Sequence, residues 1–397
     1  MRRVLTGARL FTGDRIVEGH AVVIDGERIT AVVPVAEAPA EPRPRRLPGD
    51  ALLVPGFVDV QLNGAGGILF NDTPTAEAAL AIAAVARRTG TTGILPTLMT
   101  DEKAKLRQAC DAAALALARP GGGVLGLHLE GPFLSPVRPG VHSPRWMRKP
   151  DPGDIELMVS MAEQRLGDRG RLLVTLAPEH VDDRDLARLA AAGITLAAGH
   201  TAATLERTQE ALAAGVRGFT HLFNAMPPIV SRQPGPVTAA LADRDSWCSI
   251  IADGQHVHPA LLRLIIQIKP RGKVFLVTDG MPPTGTDATS FTLFGRTIFR
   301  RGGRLVAEDD TLAGADIDMA ASVRNCVQLL DLPLEDSLRM ASLYPAAYLG
   351  LDDQLGRVAP GYRADLTLLR PDLTVLATWV GGDDQWYRGG AIDEPPA

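Results

Sequence analysis

Between Leu53 and Gly280 the chain runs eight times through a short apolar stretch, and several of these stretches are followed by an Ala-rich one of helical period. The apolar stretches are LVPGFVDVQ, TGILPTL, VLGLHLE, LLVTLAPE, ITLAAGH, GFTHLFN, CSIIADG and VFLVTDG. Runs of this length, apolar at nearly every position, read as strands covered on both faces. The segments TAEAALAIAAVARR, DEKAKLRQACDAAALALA, ARLAAA and TLERTQEALAA read as helices between them. Repeated strand–helix units predict a parallel sheet, and eight of them predict a (β/α)8 TIM barrel, which takes roughly 250 residues or more. The connections after the third and eighth strands are long for such a barrel.

The two ends of the chain read differently. RVLTGARLFT, RIVEGHAVVID and ERITAVVPV alternate apolar and polar residues between Gly-containing turns, as antiparallel strands do. The stretch APAEPRPRRLPGD follows, and its prolines cannot continue a strand ladder. The last segment, QLGRVAPGYRADLTLLRPDLTVLATWVGG, returns to short alternating strands. The expected architecture is α/β: a barrel over residues 53–350, with a small β-sandwich domain built from both chain termini, residues 1–52 and 351–397. Neither terminal piece is large enough to fold alone.

With 397 residues, 46% of them hydrophobic, the chain can bury a large core. A net charge of -5 and the absence of a Lys/Arg-dense stripe exclude nucleic acid as an expected partner. No apolar window reaches the length of a membrane span, so no membrane partner is expected. Cys110, Cys248 and Cys326 are odd in number and widely spaced, which fits neither a disulfide framework nor a thiolate zinc site. The expected location is the cytoplasm, and the sequon at Asn71 is then a coincidence of sequence.

Polar residues collect where the proposed strands end: Gln61 and Asn63, Glu130, Glu179, His200, His221, Asp253 with His256, and Asp279. In a TIM barrel that rim carries the active site. A single Asp or His at a strand end is ordinarily a turn former, but ionisable residues at the ends of six strands exceed what turn chemistry needs. Glu130, His200 and His221 could converge as one carboxylate and two imidazoles, the ligand set of an open catalytic metal site. Asp279 is then the candidate to take a proton from the attacking water and pass it to a leaving amine. Such a set suits Zn2+, and Fe2+, Mn2+ or Co2+ as well, so the residue types leave the ion open.

Two-metal barrels place His-x-His on the first strand, and this chain has Gln61-Leu62-Asn63, whose amides are poor transition-metal ligands. None of the five lysines falls at a strand end where it could bridge two ions. One divalent ion per subunit is expected. His128, two residues before Glu130 on the same strand, points to the same side one layer deeper and reads as a buried hydrogen-bonding residue.

The stretches PGFVDVQLNGAGG, GLHLEGPFL, VRPGVHSP, TLAPE, AAGHTAAT, THLFNAMPP, ADGQHVHP, LVTDGMPPTG and LAGADIDMAASVRN, in this order, resemble the N-acetylglucosamine-6-phosphate deacetylase family of the amidohydrolase superfamily. The resemblance covers nearly the whole chain. It implies hydrolysis of the acetamide of a phosphorylated amino sugar, with N-acetylgalactosamine 6-phosphate or another N-acyl compound as alternative substrates. A catalytically silent barrel of the same fold is a further alternative, against which the intact set of metal ligands and acid argues. The resemblance further implies one ion on Glu130, His200 and His221, and Asp279 as general base and then general acid. It assigns His142, beside Val141, and His256 to the sugar or its acetyl carbonyl. Asn224, Ala225 and Arg232 are assigned to the phosphate, and Leu312, Ala313 and Gly314 to a substrate-lining loop. In this family the arginine comes from a neighbouring subunit, which implies a homodimer with Arg232 contributed across the interface. Gly280 and Met281-Pro282-Pro283 depart from the family pattern next to Asp279.

Overall fold

The computed structural model describes residues 1–388 and 391–393. Eight parallel strands form one sheet in sequential order. They are β1 (Phe57–Leu62), β2 (Thr91–Met99), β3 (Gly126–Glu130), β4 (Arg171–Leu176), β5 (Thr195–Ala198), β6 (Val216–Phe219), β7 (Trp247–Ile250) and β8 (Val274–Leu276). The sheet closes where the chain leaves β8: Leu62 bridges Gly280 in parallel, and the Asp279 amide donates to the Gln61 carbonyl at 3.0 Å. All eight apolar stretches supply a barrel strand, and the fold is the TIM barrel that the repeat predicts.

Helices α1 (Ala76–Arg87), α2 (Lys103–Leu117), α3 (Pro152–Ser160), α4 (Asp183–Ala191), α5 (Leu205–Ala213), α6 (Pro236–Ala242), α7 (Pro259–Ile268) and α8 (Met319–Gln328) ring the barrel. Several starts are set by side-chain caps, with Thr75, Thr204 and Asp318 accepting the Ala78, Arg207 and Ala321 amides. Each such cap contributes about 1 kcal/mol. One apolar cluster fills the space between strands and helices, and a second, including Val58, Val60, Leu95, Leu173 and Phe275, fills the barrel interior. Burial of both strand faces is why the strands read as nearly unbroken apolar runs.

The first stretch, LVPGFVDVQ, is two strands. Leu52–Pro55 pairs with Arg9–Phe11 and with Leu366–Leu369 in a sheet made from both ends of the chain, and β1 begins only after Gly56. A Cβ on Gly56 would lie 1.9 Å from the Thr92 hydroxyl oxygen, so only glycine lets the chain pass from one sheet to the other here. That terminal sheet has seven strands. It faces a four-stranded sheet of N-terminal strands across an apolar layer that includes Leu5, Val22, Leu53, Leu366 and Trp379.

Both long connections build the rim. The one after β3 carries Val141 and His142. The one after β8 contains a four-stranded antiparallel sheet, whose last strand, Leu312–Ala315, returns to the barrel. There the Ala315 amide donates to the Asp279 carbonyl at 3.0 Å.

Candidate metal centre and active site

Glu130 is the last residue of β3, and its buried carboxylate faces two imidazoles brought from the ends of β5 and β6. Oε1 of Glu130 lies 3.0 Å from Nε2 of His221 and 3.3 Å from Nε2 of His200, and the two imidazole nitrogens lie 3.2 Å apart. A tetrahedral ion with bonds of about 2.0–2.1 Å requires ligand atoms roughly 3.3 Å apart, so this triangle has the dimensions of one face of such a site. Nδ1 of His200 donates to the Arg138 carbonyl at 3.2 Å, which leaves the Nε2 lone pair free for an ion.

Glu130, His142 and His200 also bring donor atoms within 4.8 Å of one another. Nε2 of His142 reaches only the other carboxylate oxygen of Glu130, at 3.6 Å. The triangle with His221 is the tighter of the two, and His142 stands beside it. The Thr100 amide points at Nδ1 of His142 from 3.3 Å. Nδ1 also lies 3.1 Å from the Thr100 hydroxyl, so Thr100 holds the ring through both its amide and its side chain.

His200, His221 and Asp279 all have left-handed backbones, with φ of 47°, 31° and 52°. For residues other than glycine such conformations cost of order 1–3 kcal/mol each and persist where the surroundings over-determine them. Here they turn each side chain back over the barrel mouth. Gly314 makes room for this: a Cβ there would sit 2.6 Å from the Asp279 carbonyl oxygen.

Electrostatics separate the two acids. Burial alone would raise Glu130, but its close polar contacts with His142, His200 and His221 outweigh it and hold the carboxyl well below its usual range. Burial, and then the charge of Glu130, push Asp279 up to about 6. A cation at the triangle acts in the opposite direction on Asp279. Gln61 Nε2 donates to Glu130 at 3.0 Å and to Asp279 at 3.1 Å, and Asn63 Nδ2 donates to Asp279 at 2.7 Å. The two amides thus stand as hydrogen-bond donors where His-x-His would stand as ligands.

A cavity of about 230 Å³ opens onto these groups. Among the residues expected at the site, Val141, His142, Asn224, Ala225, His256, Leu312 and Gly314 line it with the triangle and Asp279. Ala313 lies between two lining residues but is itself fully buried in an apolar cluster with Met99 and Met281. Arg232 is exposed on the connection after β6 and does not line the cavity of its own chain. Nδ1 of His256 is 2.6 Å from Asp253. His128 is fully buried, bridging the hydroxyls of Thr97 and Thr175 at 3.1 and 2.8 Å, as a core hydrogen-bonding residue does. Sequence reasoning missed Met99, Gly140 and Thr311 in the lining and Thr100 behind His142; Met281, noted there as a departure beside Asp279, also lines the cavity. Met99 is the register partner of Glu130 on the neighbouring strand, a signal available once the strands are aligned. A larger cavity, about 540 Å³ and lined by Gln209, Arg217 and Asp243, lies where β6 and β7 begin, at the opposite end of the barrel, and holds none of these groups.

A parallel eight-stranded barrel with a carboxylate, two imidazoles and a second acid at its C-terminal mouth defines a metal-dependent hydrolase. Comparison with known proteins agrees: the amidohydrolase family model matches residues 52–384, and that of the NagA composite domain matches residues 4–52. The chain belongs to the amidohydrolase family, and within it to the N-acetylglucosamine-6-phosphate deacetylase group. It is 37% identical over 381 residues to the N-acetylgalactosamine-6-phosphate deacetylase of Shewanella sp. (strain ANA-3), covering 96% of this chain and 95% of that one. It is 35% identical to the N-acetylglucosamine-6-phosphate deacetylase of Haemophilus influenzae, covering 96% and 99%. The crystal structure of N-acetylglucosamine-6-phosphate deacetylase from Pasteurella multocida superposes with a TM-score of 0.92 at 34% identity, covering 98% of this chain and 100% of that one.

Proposed function

We propose that this enzyme hydrolyses the acetamide of N-acetylglucosamine 6-phosphate to glucosamine 6-phosphate and acetate. Glu130, His200 and His221 would hold one divalent ion, and the nitrogen-rich donor set with edges of 3.0 to 3.3 Å supports Zn2+. Bound there, such an ion supplies Lewis acidity toward the carbonyl and acidifies water. The side-chain amides of Gln61 and Asn63 support a single ion. The observation that carries the reading is that one amide, Gln61, touches both the ligand carboxylate and the free acid, at 3.0 and 3.1 Å. Ligand and base are thereby held in one hydrogen-bonded unit.

Asp279 takes the proton of the attacking water as its oxygen bonds to the acetyl carbon. It returns that proton to nitrogen as the C–N bond breaks. His142 donates to the carbonyl oxygen as negative charge develops there. His256, steadied by Asp253, faces the sugar, and Asn224 and Ala225 face the phosphate end. Among the described residues, no Lys or Arg lines the cavity. That supports a homodimer in which Arg232 of a second copy meets the phosphate with a planar, permanently charged fork. Three unpaired, buried cysteines support a reducing compartment such as the cytoplasm.

The name of the Shewanella relative favours a second reading, the galacto epimer, for the same site. Acetate release from N-acetylglucosamine 6-phosphate, its galacto epimer and unphosphorylated N-acetylglucosamine tests both. The proposal expects the first to be the best substrate by kcat/KM; preference for the epimer selects the second reading, and equal use of the unphosphorylated sugar removes the phosphate site.

A further inference from the structure

Glu179 ends the TLAPE stretch at the mouth of β4 and has no part in the chemistry above. Its carboxylate does not line the cavity. One oxygen accepts the Thr201 hydroxyl at 2.5 Å and the other accepts the Ala202 amide at 2.7 Å. Those two residues directly follow His200. The Thr201 hydroxyl in turn accepts the Ala203 amide at 3.0 Å, so the turn leaving His200 is tied at successive positions.

A second tie runs the other way. Arg207 of α5 donates to the carbonyls of Pro178 and Val181, which flank Glu179, at 3.0 and 3.1 Å. Its charge is met by Asp183 and Glu210 rather than by Glu179. The carboxylate of Glu179 is therefore spent on the turn after His200. That turn needs holding, because His200 sits at φ 47° with its own carbonyl fixed by the Ser135 amide at 2.9 Å and its ring by Arg138.

We propose that Glu179 is a positioning residue for His200, holding the strained turn so that Nε2 stays in register with Glu130 and His221. This rests on the reading of His200 as an ion ligand. Partners behind a ligand typically change ion affinity by about 10–100-fold when removed.

The test is the Zn2+ affinity of metal-stripped protein, by chelator competition, for wild type, Glu179→Ala, Glu179→Gln, Thr201→Val and His200→Ala, with Tm of each metal-free protein. We expect Glu179→Ala to weaken binding about 10–100-fold. Glu179→Gln should recover part of the loss, because its amide oxygen still accepts from Ala202. Thr201→Val should move affinity in the same direction by less. If His200→Ala weakens binding while both Glu179 variants stay within about twofold of wild type, even with a lowered Tm, Glu179 is a purely structural clamp and the proposal is overturned. If His200→Ala leaves affinity unchanged, the ligand assignment fails and this proposal fails with it.

Discussion

Asn63 donates its side-chain amide to Oδ1 of Asp279 across 2.7 Å, from the position just past β1. The proposed base is thus oriented by an amide. Replacing Asn63 by Ala removes that donor and leaves Gln61 as the remaining side-chain support of the same oxygen. A misplacement of about 1 Å can cost about 10²-fold in rate, so we expect Asn63→Ala to lower kcat by about 10-fold to 100-fold with ion affinity unchanged. Steady-state kinetics beside chelator titration checks this, and an unchanged kcat would show that Asn63 does not orient the base.

Asp279 separates proton transfer from ion binding. Asp279→Asn keeps the size of the side chain and removes the proton carrier, which should reduce turnover by about 10²–10⁴-fold. Ion affinity should stay close to wild type, because Glu130, His200 and His221 are intact. Retained turnover would sink the assignment of Asp279.

Arg232 should matter only for phosphorylated substrate. A charge-assisted hydrogen bond contributes about 1.5–3 kcal/mol, so Arg232→Ala should cost about 10–100-fold in kcat/KM toward N-acetylglucosamine 6-phosphate. Any residual use of the unphosphorylated sugar should be untouched. Mixing this variant with His221→Ala protein tests the shared site: activity should return in mixed dimers if the arginine crosses the interface, and should not if each chain serves itself.

Asp59 gives a pH signature that does not involve the centre's ligands. Fully buried under β8, it accepts the Thr278 hydroxyl and the amides of Gln61 and Thr278, yet burial outweighs these bonds and pushes its pKa up to about 7. The folded state therefore holds this proton more tightly than the unfolded chain does. The resulting stabilisation is complete below the unfolded pKa, near 4, and is lost as pH rises through about 7. Asp59→Asn cannot titrate, so the Tm difference, wild type minus variant, should fall between pH 4 and pH 7 and level off above. A difference that stays constant with pH would remove Asp59 as the titrating group.

The parts legible in the sequence are those written locally. Eight buried strands show as apolar runs, and Glu130, His200, His221 and Asp279 show because each ends or closely follows such a run. The passage of the chain from one sheet to another at Gly56 was not legible, because LLVPGFVDV is apolar throughout and its break depends on the approach of Thr92. The roles of Thr100 and Glu179 were hidden for the same reason: each depends on turns distant in sequence meeting in space, and no period or spacing records that meeting. The antiparallel sheet over residues 290–315 was missed although its strands pair with sequence neighbours through the two-residue turns Phe294-Gly295 and Gly302-Gly303.

The most direct test of the account is acetate release from N-acetylglucosamine 6-phosphate as Zn2+ is titrated into metal-stripped protein. The account predicts activity that rises linearly and stops at one equivalent per chain, with His221→Ala inactive at that ratio. Activity that needs two equivalents, or that persists without added ion, would contradict a single ion held by Glu130, His200 and His221.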